Sequence, residues 1–183
     1  MAGLLSGLSV RQWQASSLCE GWTVEDVATH LLARERYLSS IGIAIPALHP
    51  WHERTMRRIA HKGHTYVVEK IRHYPWWMPA TLNVAEFYIH NEDILRGGLH
   101  RSRPKPSGEA VALLWNSLAG LMKVRASEVS DLGVLTIHND LTNQEIVVGK
   151  HSDKHTTVSG DPGELLLFCY GRRDAAKVNL ATA

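Results

Sequence analysis

The stretch Asn83-Val84-Ala85-Glu86-Phe87-Tyr88-Ile89-His90-Asn91-Glu92-Asp93-Ile94-Leu95-Arg96 organises the reading of the chain. It holds no Gly or Pro before Gly97-Gly98, so it is expected to run as one helix and stop there. Residues three and four apart share a helix face, which puts Asn83, Glu86, His90 and Asp93 on one stripe. A carboxylate and an imidazole one turn apart on a rigid element suit two ligands of one divalent metal. From the pattern alone a solvated face carrying a Glu–His pair is the better reading, and a metal reading needs a third ligand.

The chain has 183 residues, enough for one sizeable domain or two small ones. An apolar fraction of 44% supports a packed core. The 20 basic and 18 acidic residues leave a net charge of +2, which speaks against a nucleic-acid binder. Cys19 and Cys169 form no Cys-x-x-Cys pair and are read as two reduced thiols, fitting a cytoplasmic protein. The first eight residues lack the basic region and long apolar run of a signal peptide. No apolar run approaches the ~18 residues of a membrane span, so no membrane partner is expected.

Residues 2–14 read as a short helix weakened by Gly3 and Gly7. Thr23 opens a second helix, with Asp26 three residues later as in a capping box. Val24, Val27, Ala28, Leu31 and Leu32 form its apolar stripe. His30 lies at the edge of that stripe, where it can be a core histidine or point into a bundle interior. Residues 41–50 read as a loop, Trp51–Ala60 as a basic helix with Arg54, Arg57 and Arg58, and Thr65–Tyr74 as a helix resuming after Gly63. The pairs His49/His52 and His61/His64 are weak ligand candidates, since nothing in the sequence fixes their direction. Tyr74–Pro79 reads as a rigid aromatic loop that either walls an apolar pocket or packs on the bundle.

After Gly97-Gly98 the composition changes. Arg101–Gly108 is a polar, Pro-rich linker and the expected boundary between a helical bundle over residues 1–100 and a small α/β domain over 107–183. A helix is expected over Glu109–Ser127, strands over 133–138, 145–148, 156–158 and 177–180, and a helix over 161–171 with Pro162 early in it. The fold class is therefore α+β.

Three segments in order carry a resemblance: Leu18–Leu31, Glu86-Phe87-Tyr88-Ile89-His90-Asn91-Glu92-Asp93, and Gly163–Arg172. Together they resemble the actinobacterial relatives of mycothiol-dependent maleylpyruvate isomerase, over nearly the whole chain. The resemblance implies a DinB-like four-helix bundle followed by a small α/β domain. It implies a divalent metal, typically zinc, held by His30, Glu86 and His90, with mycothiol as cosubstrate. Two His and one carboxylate leave a coordination position open, as in catalytic sites. The chain departs from the family where His90-Asn91-Glu92-Asp93 stands for the frequent His-His-Glu-Asp, and His90 is taken as ligand because it keeps the spacing from Glu86. The first helix is shorter than the family's, leaving one wall of the bundle thin or completed by a second copy in a homodimer.

An open zinc position lowers the pKa of its donor and holds a small thiol as thiolate, ready to attack an electrophilic substrate in transfer or isomerisation. Asp93 is read either as an acceptor that orients a ligand histidine or as a surface carboxylate. The catalytic candidates are Arg34 and Arg172. Arg34 would bind a substrate carboxylate or form a bundle-edge salt bridge, and Arg172 would reach an acidic substrate or interact with a helix end. The competing classes are a metal-dependent hydrolase, a non-catalytic metal or small-ligand binder, and a bundle kept for association, with DNA binding a distant fourth.

Overall fold

The computed structural model describes residues 1–36, 45–73, 80–101, 105–150 and 152–182, and the side chains of residues 80–82 are not described. The aromatic segment Tyr74–Pro79 and part of the expected linker, Ser102–Pro104, lie outside the described residues. Contacts divide the chain into two compact units, Met1–Pro79 with His90–Arg103, and Ala80–Ile89 with Pro104–Ala183.

The first unit is helical. Its amino terminus makes two short helices, α1 (Ala2–Ser6) and α2 (Val10–Trp13), where the sequence reads as one. The break has a local cause. Ser9 starts a new helix through a capping box, accepting from the Gln12 backbone amide while the Gln12 side chain accepts from the Ser9 amide. Helix α3 (Val24–Arg36) begins as the sequence predicts. The Thr23 amide donates to Asp26 Oδ2 at 2.9 Å, and Thr23 Oγ1 accepts from the Asp26 amide at 3.2 Å. A 3₁₀ turn (Pro46–Leu48) leads into α4 (His49–Ala60), two residues earlier than Trp51, because Pro50 suits the first turn of a helix. Helix α5 (His64–Arg72) follows Gly63. The buried side chains Leu5, Trp13, Val24, Val27, Ala28, Leu32, Met56, Ile59, Val67 and Ile94 form one core.

Helix α6 (Ala80–Glu92) gives its first part to the second unit and its last residues to the first. The second unit continues with α7 (Glu109–Arg125) and a 3₁₀ turn (Ala126–Leu132). Strands β1 (Val134–Asn139), β2 (Gln144–Val148), β3 (His155–Gly160) and β4 (Asn179–Thr182) form a four-stranded sheet of order β2-β1-β3-β4. The β1/β2 and β3/β4 pairs are antiparallel and β1/β3 is parallel. Alternation along β1 buries Leu135 and Ile137 on one face, against Leu114, Trp115 and Leu118 of α7 and the apolar helix α8 (Pro162–Cys169). Asp161 caps α8 by accepting from the Gly163 and Glu164 amides, each at 3.1 Å. Among the described residues no helix is long and apolar enough to cross a membrane.

The helical path passes Glu92, runs on as a π-helical turn, Asp93–Gly98, and ends at the glycines as the sequence predicts. The glycines also serve close approach. A Cβ on Gly97 would lie 2.5 Å from Leu18 N and from the Ser17 carbonyl carbon, and one on Gly98 2.7 Å from Val24 Cγ2. The absence of side chains here lets the 15–22 loop lie directly on the turn, where the Leu18 amide donates to the Asp93 carbonyl at 3.1 Å. Gly97→Ala forces backbone apart and is expected to cost about 1–3 kcal/mol, read as a thermal midpoint several degrees lower. An unchanged midpoint would contradict this packing.

Candidate metal centre

Two buried histidines of the first unit form the centre. His30 on α3 and His90 at the end of α6 are each 7% exposed, with ring centroids 5.2 Å apart at 70°. Each has a neighbour on its Nδ1. For His90 that neighbour is Asp93, whose Oδ2 lies 2.9 Å away. Asp93 is fully buried, and an ionised carboxylate only accepts hydrogen bonds. We therefore assign the proton of His90 to Nδ1, which puts the ring lone pair on Nε2. The Cys19 thiol donates to the same Asp93 oxygen at 3.1 Å, with its sulfur 3.9 Å from His90 Nδ1. Cys19, His90 and Asp93 thus make a compact donor group, with ligand atoms within 4.8 Å of one another.

For His30 the neighbour is His52 on α4, whose Nε2 lies 3.0 Å from His30 Nδ1. The two rings meet edge to face at 82° with centroids 5.1 Å apart, and Trp22 covers His30 from another side at 4.9 Å. Trp22 and His52 also line a cleft of about 300 Å³ together with Asp26, Glu53, Met56 and Arg57.

Glu86 stands one helical turn before His90 on α6. Within the second unit its Oε1 accepts from the Tyr170 hydroxyl at 3.0 Å, and the Arg125 guanidinium lies 4.7 Å over the Tyr170 ring. Burial, reinforced by the Glu86 carboxylate, pushes the Tyr170 hydroxyl up to about 12, so it remains a donor at neutral pH. Arg172 donates to the Tyr170 carbonyl at 2.7 Å. Arg34, one turn after His30, donates to the buried Glu35 carboxylate at 2.7 Å. Among the other histidines, His64 stacks on Trp13 at 4.1 Å and pairs with Glu25 at 2.8 Å, while His49 and His61 are exposed. Arg54, Arg57 and Arg58 are likewise exposed, as on a solvated helix face.

This helical unit with buried histidines can be set beside known proteins. Residues 1–74 match the family model described as the mycothiol maleylpyruvate isomerase N-terminal domain. That is the family the sequence resembles. Two solved structures are similar over 98% of this chain and 86% of theirs. One is a single-substitution mutant of the mycothiol-dependent maleylpyruvate isomerase, at 16% identity and a TM-score of 0.54. The other is the mycothiol-dependent maleylpyruvate isomerase itself, at 14% identity and a TM-score of 0.52. At these identities the likeness shows the fold, and the fold is the α+β, DinB-like one of that isomerase. Comparison with curated proteins gives no match.

Buried imidazoles are donors of a kind that suits the divalent metal the sequence resemblance implies. For His90, Nδ1 held by Asp93 leaves the lone pair on Nε2, the form in which histidine binds zinc. The direction of His52, unreadable from its pairing with His49, has a signal elsewhere in the sequence. His52 is three, four and seven residues from Thr55, Met56 and Ile59, and all four are buried on one side of α4. That stripe fixes its direction. Cys19 was set aside as a mere thiol because a long sequence gap hides its approach to Asp93.

The two thiols differ sharply in surroundings. Cys169 is 1% exposed, and burial pushes its thiol up to about 12. Its folded value is above its unfolded one, so at pH 8 the reactive thiolate is on the order of one part in ten thousand. Iodoacetamide at pH 8 should leave Cys169 unmodified in the folded protein and label it in denaturant. Equal labelling in both, read by peptide mass spectrometry, would contradict the buried placement.

Proposed function

We propose that this chain is a divalent-metal protein of the mycothiol-dependent maleylpyruvate isomerase type. His30, Glu86 and His90 hold the metal, zinc in the first instance, and the protein carries out a thiol-dependent transfer or isomerisation on a small electrophilic substrate. The observation that carries this reading is the pair of buried imidazoles, His30 and His90, 5.2 Å apart with a hydrogen-bond partner on each Nδ1. Glu86, a helical turn from His90 on the same helix, adds a carboxylate to the donor set. When bound, zinc supplies the electrostatic stabilisation that lets a small thiol react as its thiolate.

The chain's own groups supply the remainder. Asp93 keeps the His90 proton on Nδ1 and the ring in one orientation. Tyr170 holds one Glu86 oxygen through its hydroxyl and so fixes the rotamer of that carboxylate. Cys19 is engaged with Asp93 and Cys169 is sealed in the core, which makes an external thiol the better nucleophile. Mycothiol is the thiol favoured by the family match. Arg172 is the proposed cation for a substrate carboxylate. The pairing of Arg34 with Glu35 favours a positioning contact on α3 over a substrate contact.

Elemental analysis of the purified protein beside His30→Ala, Glu86→Ala and His90→Ala tests the reading. About one metal per chain in the parent, lost in each variant, is the expected result. A parent that takes up no zinc when it is offered, or four proteins with equal metal, would refute the three-ligand set.

A further inference from the structure

We propose that His52 is a positioning residue for the metal centre, acting as the hydrogen-bond acceptor that fixes the orientation and tautomer of His30. The inference rests on the reading of His30 as a ligand and extends it to a residue outside the ligand set.

His52 is 2% exposed and sits on the inward stripe of α4 with Thr55, Met56 and Ile59. A polar ring in such a place is costly unless it is hydrogen-bonded. Its Nε2 lies 3.0 Å from His30 Nδ1, with the rings edge to face. A single proton is shared across that contact, which leaves two arrangements. In one, His52 Nε2–H donates to His30 Nδ1, and the His30 proton must then sit on Nε2. That form of His30 presents no lone pair at Nε2. In the other, His30 Nδ1–H donates to His52 Nε2, and the His30 lone pair lies on Nε2, the nitrogen a metal takes. Metal binding through His30 therefore selects His52 as acceptor.

The two histidines of the centre are then held by different means. His90 is oriented by a carboxylate on its own helical path, three residues away. His30 is oriented by a neutral imidazole on another helix, 22 positions along the chain. The second arrangement adds no charge beside the metal and depends on α3 and α4 keeping their packing. Trp22 also packs on His30, its ring centroid 4.9 Å away at 55°.

The test is zinc affinity, measured by competition with a chromophoric chelator, for the parent, His52→Ala, His52→Gln, His30→Ala and His90→Ala. Glutamine places an amide oxygen about where the imidazole Nε2 stands, so it retains an acceptor. His52→Ala is expected to weaken zinc about ten- to a hundredfold at unchanged stoichiometry, and His52→Gln to recover most of that loss. Thermal midpoints of the metal-free proteins show whether α4 still packs. Should His52→Ala fail to fold, His52→Leu takes its place as the variant that fills the space without an acceptor. Parent-like affinity in the Ala or Leu variant would overturn the proposal. So would a Gln variant as weak as Ala. Loss of all zinc on His52→Ala, as in a ligand knockout, would make His52 a ligand and also overturn it. A parent that binds no zinc, or a His30→Ala variant that binds as well as the parent, would instead remove the reading of His30 on which the inference stands.

Discussion

The first unit depends on one buried carboxylate. Asp93 has no exposed surface, and an ion in that position is tolerable only when its oxygens are hydrogen-bonded. Its Oδ2 takes the His90 Nδ1 proton and the Cys19 thiol, and its backbone carbonyl takes the Leu18 amide. These contacts bind together the end of α6, the π-helical turn and the 15–22 loop. The side-chain-free edge of Gly97-Gly98 is the space that lets the loop come in, and Thr23 at the end of that loop caps α3.

The same dependence explains how one helix can serve two purposes. Helix α6 carries Glu86, fixed by Tyr170 of the second unit, and His90, fixed by Asp93 of the first. Each donor is held by a hydrogen bond that leaves its geometry little freedom. Preorganisation of this sort lowers the entropic cost of binding a ligand. A π-helical turn directly after His90 is also consistent with a site, since such irregularities concentrate where function needs a side chain re-aimed.

Much of this architecture was legible in the residues. The capping pattern of Thr23 and Asp26, the Pro162 start of α8 and the alternation in β1 each act within a few positions, and each appears in the structure within a residue or two of its expected place. Glu86 and His90 were visible because helical spacing is local. What the sequence concealed was non-local. Gly97-Gly98 reads correctly as a helix stop, but its close approach is hidden because the Leu18 backbone that presses on it is nearly eighty positions away. Cys19 reads as an isolated thiol for the same reason. His52 lay between the two cases, since its inward direction was written in the Met56–Ile59 stripe while its partner on α3 was not.

The proposed ligand set and the Cys19–His90–Asp93 group share His90, and only the second holds a sulfur. X-ray absorption at the zinc edge on the zinc-loaded, thiol-free protein separates them directly. A centre built on His30, Glu86 and His90 gives only nitrogen and oxygen neighbours at about 2.0–2.2 Å, and a sulfur neighbour at about 2.3 Å appears only after a small thiol is added. A sulfur shell already present without added thiol, and abolished by Cys19→Ser, would place the metal on Cys19, His90 and Asp93 and contradict the account.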